Sequence, residues 1–300
     1  MRKVVCALIG VMLVGGCTSP DSGTEEVRLT QVDGMPTADV DDTVWLEWAE
    51  STLAGECMVA RGYPFWAQWR ARVRKNTEPD QLYGIADVTW VTAHGYGIGE
   101  RRSAPDVTPE DPNTRYLHSL PKERWREYDT AYHGTEQDRI TVTLANGMTA
   151  SMASKGCLAE ARTKLFGSLP DWLRLDTSWR NIDAEIAPTV LKDARYLKAL
   201  AGWRACMAGR GQQVAEPMAL REQVSREYSL KPRTEARELE MALAKLEAEC
   251  AQTTALIRTA EEVHAEVRAG LDTTRKSDLD TYREMMRTAL DAARKLAGPA

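Results

Sequence analysis

Apolar residues at Val44, Leu46, Trp48, Leu53 and Cys57 mark one side of a helical stretch, closed by Gly62 and Pro64. The pattern predicts a first helix over about 42–61. Asp111–Pro112 and Pro121 read as two further helix starts, for 112–119 and 121–132, with Trp125, Tyr128 and Tyr132 on one face and Gly134 as the stop. The period then shortens to two. Ile140, Val142 and Leu144 alternate with polar neighbours, and Asn146–Gly147 marks the reversal, so strands of about 139–144 and 149–154 are expected to pair through a type I′ turn. A lone hairpin is marginal, so it must pack on helices, with the helix that begins at Cys157 as the expected support.

Beyond Cys157 the pattern is helical throughout. Trp172, Leu175, Trp179, Ile182 and Ile186 form one stripe, Pro188 is the expected divider, and Arg195–Met207 continues beyond it. The longest period runs through Leu239, Leu243, Leu246, Cys250, Thr253, Ile257, Ala260, His264, Val267 and Leu271 in steps of four and three. A helix of that extent, about 50 Å, needs a partner along its length. The expected partner is 276–297, with a break at Gly270, Thr273 and Thr274 or one bent helix throughout. The fold class is mainly α: a disulfide-stapled helical domain of two related units, one small β-hairpin and a long C-terminal helical hairpin.

Composition supports a folded chain. Of 300 residues, 43% are hydrophobic and 28% charged, and 9 are Trp. The net charge of -5 opposes binding to polyphosphate, which sets nucleic acid aside as a partner.

The first residues read as an address. Met1, Arg2 and Lys3 precede an uncharged run from Val4 to Gly16, the pattern of an export signal; a run of that length falls short of a bilayer. Leu13, Val14, Gly15, Gly16 and Cys17 resemble the lipobox of bacterial lipoproteins. That resemblance implies cleavage before Cys17 and its lipidation, leaving the chain on the outer face of the cell membrane with a mature charge of -7. Residues 17–41 are expected to form the lipidated N-terminus and a flexible tether, although the alternating EVRLTQV stretch can instead add a strand. The expected organisation is a signal peptide over 1–16, the tether over 17–41, a first helical unit with the hairpin over 42–168, and a second over 169–300.

Without Cys6 and Cys17, four cysteines remain: Cys57, Cys157, Cys206 and Cys250. An exported chain permits disulfides, and four cysteines allow three pairings. An internal repeat favours one of them. Cys57, Met58, Arg61 and Gly62 recur as Cys206, Met207, Arg210 and Gly211, and each copy is followed by one further cysteine. Two units stapled internally give Cys57–Cys157 and Cys206–Cys250. The scattered cysteines and the separate His94, His118, His133 and His264 lack metal-site spacing, so no metal and no cofactor are expected.

Candidate chemistry is sparse. Arg70, Arg72 and Arg74 beside Phe65, Trp66 and Trp69 form a basic and aromatic segment that can meet an anionic envelope polymer, or simply pack Trp inward and Arg outward. Gly95, Gly97 and Gly99 form a glycine series that cradles phosphate only between a buried strand and a helix. Neither neighbour is evident, so a flexible loop is expected, with His94 and Tyr96 as its possible ligand contacts. No nucleophile elbow, kinase signature or Walker lysine occurs.

The lipobox at Cys17, the Cys57–Met58 segment beside Tyr63 and Pro64, HGYG at 94–97, GCLAEA at 156–161 and WRACM at 203–207 together resemble a group of exported lipoproteins of high-GC actinobacteria such as streptomycetes. The resemblance spans most of the chain and implies a helical fold, lipid anchorage and disulfides, with no assigned activity to transfer. Gln212 and Gln213 stand where an aromatic would echo Tyr63. The expected function is a noncatalytic binding or interaction module at the cell envelope, with an envelope protein or anionic polymer as partner; the alternative is an envelope enzyme with a site near His94 and Tyr96.

Overall fold

The computed structural model describes residues 27–37, 40–69, 82–103 and 111–298. The leader, Cys17 and the basic segment holding Arg70, Arg72 and Arg74 lie outside the described residues. Along the chain, β1 (Leu29–Gln31) precedes α1 (Asp42–Ala60), β2 (Phe65–Ala67), and two short helices, α2 (Val88–His94) and α3 (Ile98–Ser103). Next come α4 (Pro112–Ser119), α5 (Lys122–His133) and the hairpin strands β3 (Arg139–Thr143) and β4 (Thr149–Ala153). Then follow α6 (Cys157–Phe166), α7 (Leu169–Arg180), α8 (Ile182–Val190), α9 (Ala194–Gly209) and α10 (Pro217–Leu230). Finally, α11 (Arg233–Thr254), α12 (Leu256–Thr274) and α13 (Lys276–Leu296) complete a mainly helical protein.

Both disulfides are formed, Cys57–Cys157 and Cys206–Cys250, joining α1 to α6 and α9 to α11. The repeat around their first cysteines has a physical basis. At the end of α1, Gly62 donates to the carbonyl of Val59 and Tyr63 to that of Met58; at the end of α9, Gly211 donates to Ala208 and Gln212 to Met207. These are two copies of the Schellman cap, each turning on a glycine of positive φ. Gln212 replaces Tyr63 without loss because the bond comes from the backbone. Each copy's arginine also meets a glutamate close to the partner cysteine: Arg61 pairs with Glu160, and Arg210 with Glu249.

The apolar clusters do not follow the expected boundary between 168 and 169. One core gathers Ile182, Tyr196, Trp203, Leu243 and Leu256 but also Ile85, Val91, Tyr96 and Ile98 from the first half. Another gathers Val44, Trp45, Trp48 and Ala159 with Trp172, Ala289 and Ala293 from the second. α2 packs on α11, whereas α13 packs chiefly on α1, α6 and α7. The expected C-terminal hairpin is therefore opened out: α13 leaves α12 and closes the other core.

Helix breaks match the expected ones only in part. α11 ends where Ala255 takes a left-handed conformation, φ 54°, which brings Leu256 fully buried into the core and lets α12 follow α8 and α9. The break expected beside Thr273 and Thr274 is present, since α12 ends at Thr274 and α13 begins at Lys276, although Gly270 stays inside α12. α7 and α8 part at Asn181, whose side-chain amide donates to the carbonyl of Thr177, while Pro188 lies within the last turns of α8.

The small β elements position the first half. β1 pairs in parallel with β2, so residues 29–31 form a strand and not free tether. Asp33 accepts the backbone N–H of Trp69, and the Trp69 indole donates to the carbonyl of Gly34. The β3–β4 hairpin forms over the expected strands, but its register is one residue removed from that of a two-residue turn, with Thr143 facing Thr149, and it packs on α7. Its turn is a three-residue loop: Gly147 donates to Leu144, Leu144 donates to Met148, and positive φ is confined to Gly147. A type I′ turn needs positive φ at Asn146 as well, which the glycine bulge avoids.

Candidate functional site

The glycine series at 95–99 is ordered by an internal anion. Asp87 caps α2 through the backbone N–H of Trp90, and α2 stops at Gly95. The following turn feeds α3, a helix where a loop was expected. Its backbone N–H groups converge on Glu240 of α11: Tyr96 and Ile98 donate to Oε1 at 3.0 and 2.8 Å, and Gly99 donates to Oε2 at 3.1 Å. The hydroxyl of Tyr228 and the guanidinium of Arg237 donate to the same carboxylate. A Cβ on Gly95 would stand 2.8 Å from Glu240 Cγ, and one on Gly99 would stand 3.0 Å from Oε2. The glycines thus allow a backbone nest to close on a carboxylate. The anion that a glycine-rich turn can hold is supplied here by the chain itself.

His94 and Tyr96 are not brought together. Tyr96 is fully buried and donates to Glu247 Oε2 at 2.6 Å, while Glu247 Oε1 accepts the backbone N–H of Ile85. Burial raises the Glu247 carboxyl to about 7 and holds the Tyr96 phenol well above its ordinary range. His94 faces outward, 3.0 Å from Glu100 and against the ring of Trp90. The neighbouring open hollow is lined by Glu100, Tyr228, Arg233 and Arg237, without His94.

His264 is a bridge between elements. Its Nδ1 lies 2.7 Å from the hydroxyl of Tyr83 and its Nε2 3.2 Å from Asp183, beside a cavity of about 180 Å³. Both ring nitrogens are engaged. A further cleft of about 300 Å³ carries Glu50 with Arg162 and Asp176 with Arg180, charges that pair with each other. Among the described residues, no group of three or more His, Cys, Asp or Glu is placed to hold a metal, and no helix is long and apolar enough to cross a membrane.

A different cleft combines concavity with an unused polar group. It holds about 310 Å³ between β2, α4 and α5, and its walls include Phe65, Trp66, Tyr128 and Tyr132. Asp111 belongs to the wall: it caps α4 by accepting from the Asn113 backbone and also accepts from the side chains of Gln68 and Thr114. The Asn113 amide holds β2 in place, accepting from the Trp66 N–H at 2.9 Å and donating to the Trp66 carbonyl at 2.8 Å. Phe65 stacks on Tyr132, and Tyr128 meets Tyr63 edge-on. Tyr128 is only 6% exposed, yet its hydroxyl has no hydrogen-bond partner among the described residues.

Tyr128, Tyr132 and Asp111 were legible as a helix face and a cap, and Phe65 and Trp66 as part of a basic and aromatic segment. Their convergence was not, because it depends on Asn113 reaching β2 across 47 residues of chain.

Fold and cleft together define a mainly helical, doubly disulfide-bonded protein with an aromatic, acid-edged hollow. No family model matches the chain, and neither a curated protein nor a solved structure shows significant similarity to it.

Proposed function

We propose that this protein is a lipid-anchored binding module on the outer face of the cell membrane, tethered through Cys17, with the aromatic cleft as its ligand seat. The observation that carries the reading is the pair of closed disulfides, which use all four cysteines left once Cys6 and Cys17 are assigned to the leader and its lipid. Such bonds persist in oxidising compartments, in keeping with the export pattern of residues 1–16. Acyl chains on Cys17 would gain roughly 0.8 kcal/mol for each buried CH₂, so two or more hold a protein on a bilayer durably. The binding reading draws further support from the cleft, whose volume suits a small ligand. An enzyme centred on His94 and Tyr96 loses support because those side chains point to opposite sides of their turn.

The test is expression in an actinobacterial host fed an alkyne fatty acid, followed by fractionation. Labelled protein in the membrane fraction, with both lost in Cys17→Ala, is the expected result. An unlabelled chain that retains Met1, or four reduced thiols in native material, overturns the proposal.

A further inference from the structure

We infer that the cleft between β2, α4 and α5 binds a small organic cation through an ammonium group. The inference rests on the binding-module reading and adds to it the chemical class of the ligand.

Three features of the lining converge. The first is charge. Asp111 and Asp129 both line the cleft, and the described lining residues include no lysine or arginine. The Asp111 oxygens are taken up by Gln68, Asn113 and Thr114, which fix a negative charge in the wall. Asp129 is different. It forms an exposed ion pair at 3.8 Å with Nε2 of His133, which also lines the cleft, and at that distance, beyond hydrogen-bond range, a ligand ammonium at the rim can compete for its carboxylate.

The second feature is the aromatic wall. Phe65 and Tyr132 stack at 5.6 Å and 18°, and Trp66 lies beside them in the same lining. The negative faces of such rings attract a cation within about 6 Å, most strongly where water is excluded. Third is the unpartnered Tyr128 hydroxyl. A buried hydroxyl without a partner costs about 1–3 kcal/mol, and a ligand N–H donated to its oxygen would recover that loss. Burial and the nearby Asp111 charge hold the phenol above its usual range, so it stays a neutral acceptor at ordinary pH. An anion would meet two carboxylates. A neutral apolar molecule would leave Tyr128 unpaired. An ammonium answers all three features.

Titration calorimetry of the disulfide-intact full chain, with cyclohexylammonium chloride against cyclohexanol, separates charge from shape. The ammonium is expected to bind about tenfold more tightly than the alcohol, as cation–π attraction and a carboxylate partner require. Asp129→Asn should abolish that preference. Tyr128→Phe should weaken ammonium binding about fivefold while leaving the urea midpoint unchanged or higher, since it removes an unpaired hydroxyl. Equal affinity for the two probes, preference for the alcohol, absence of saturable ammonium binding, or an ammonium preference that survives both substitutions overturns the inference. Fatty-acid labelling at Cys17 is read independently, so failure of the ligand class and failure of the anchored reading are distinguishable.

Discussion

One carboxylate oxygen of Glu240 accepts the backbone N–H of Tyr96, 144 residues earlier in the chain, at 3.0 Å and shares itself with the N–H of Ile98. Through this contact the segment 84–103, from the first half of the sequence, becomes part of the core built by the second.

The first prediction concerns that contact. Glu240→Ala leaves three backbone N–H groups, the Tyr228 hydroxyl and Arg237 without their shared acceptor in a buried place. The expected loss is about 3–5 kcal/mol of unfolding free energy, read from urea titration. Gly95→Ala should weaken the same joint by about 1–3 kcal/mol, because its Cβ would press on Glu240 Cγ. A Glu240→Ala midpoint equal to the parent's would remove the nest from any account of stability.

A pH dependence follows from Glu247. Its carboxyl is raised by burial from an ordinary 4.5 to about 7. The folded chain keeps a proton that the unfolded chain has already released, so this group's contribution is present at low pH and is lost as pH rises from about 4.5 through about 7. The total is on the order of a few kcal/mol. Glu247→Gln, neutral at every pH, should flatten that slope. Urea midpoints at about pH 5 and about pH 8 provide the check, and an unchanged slope in the variant contradicts the assignment.

Each disulfide closes a long loop, with sequence separations of 100 and 44. Chain-entropy arithmetic gives about 4.7 and about 4 kcal/mol as upper values for the double variants Cys57→Ala/Cys157→Ala and Cys206→Ala/Cys250→Ala. Both are comparable to the whole net stability of a domain. Chemical denaturation under non-reducing conditions measures the two losses, and peptide mapping should recover Cys57 joined to Cys157 and never to Cys206.

Ala255 is the one non-glycine residue of positive φ among the described residues. An alanine in this conformation carries roughly 1–2 kcal/mol of steric cost that glycine lacks, offset in part by glycine's freer unfolded chain. Ala255→Gly should therefore stabilise by about 0.5–1 kcal/mol, seen as a higher thermal midpoint. A lower midpoint would mean that the junction between α11 and α12 is held by the alanine methyl.

The chain's own pattern determined most local structure: α1 from its apolar side and its Gly62 stop, the β3 and β4 strands from strict alternation, and the cysteine pairing from a repeated cap. These are short-range facts, encoded by backbone preference and by which side of an element is apolar. Tertiary structure alone decided what covers each side. An apolar stripe such as Leu279, Tyr282 and Leu290 demands burial but names no partner, so α13 could be expected beside α12 when it closes the core of α1 and α6. A glycine series announces a backbone open to an anion, and only packing reveals that Glu240 fills it. The aromatic cleft arises in the same way, because Asn113 and Trp66 meet through contacts whose energy depends on distance in space and not on separation along the chain.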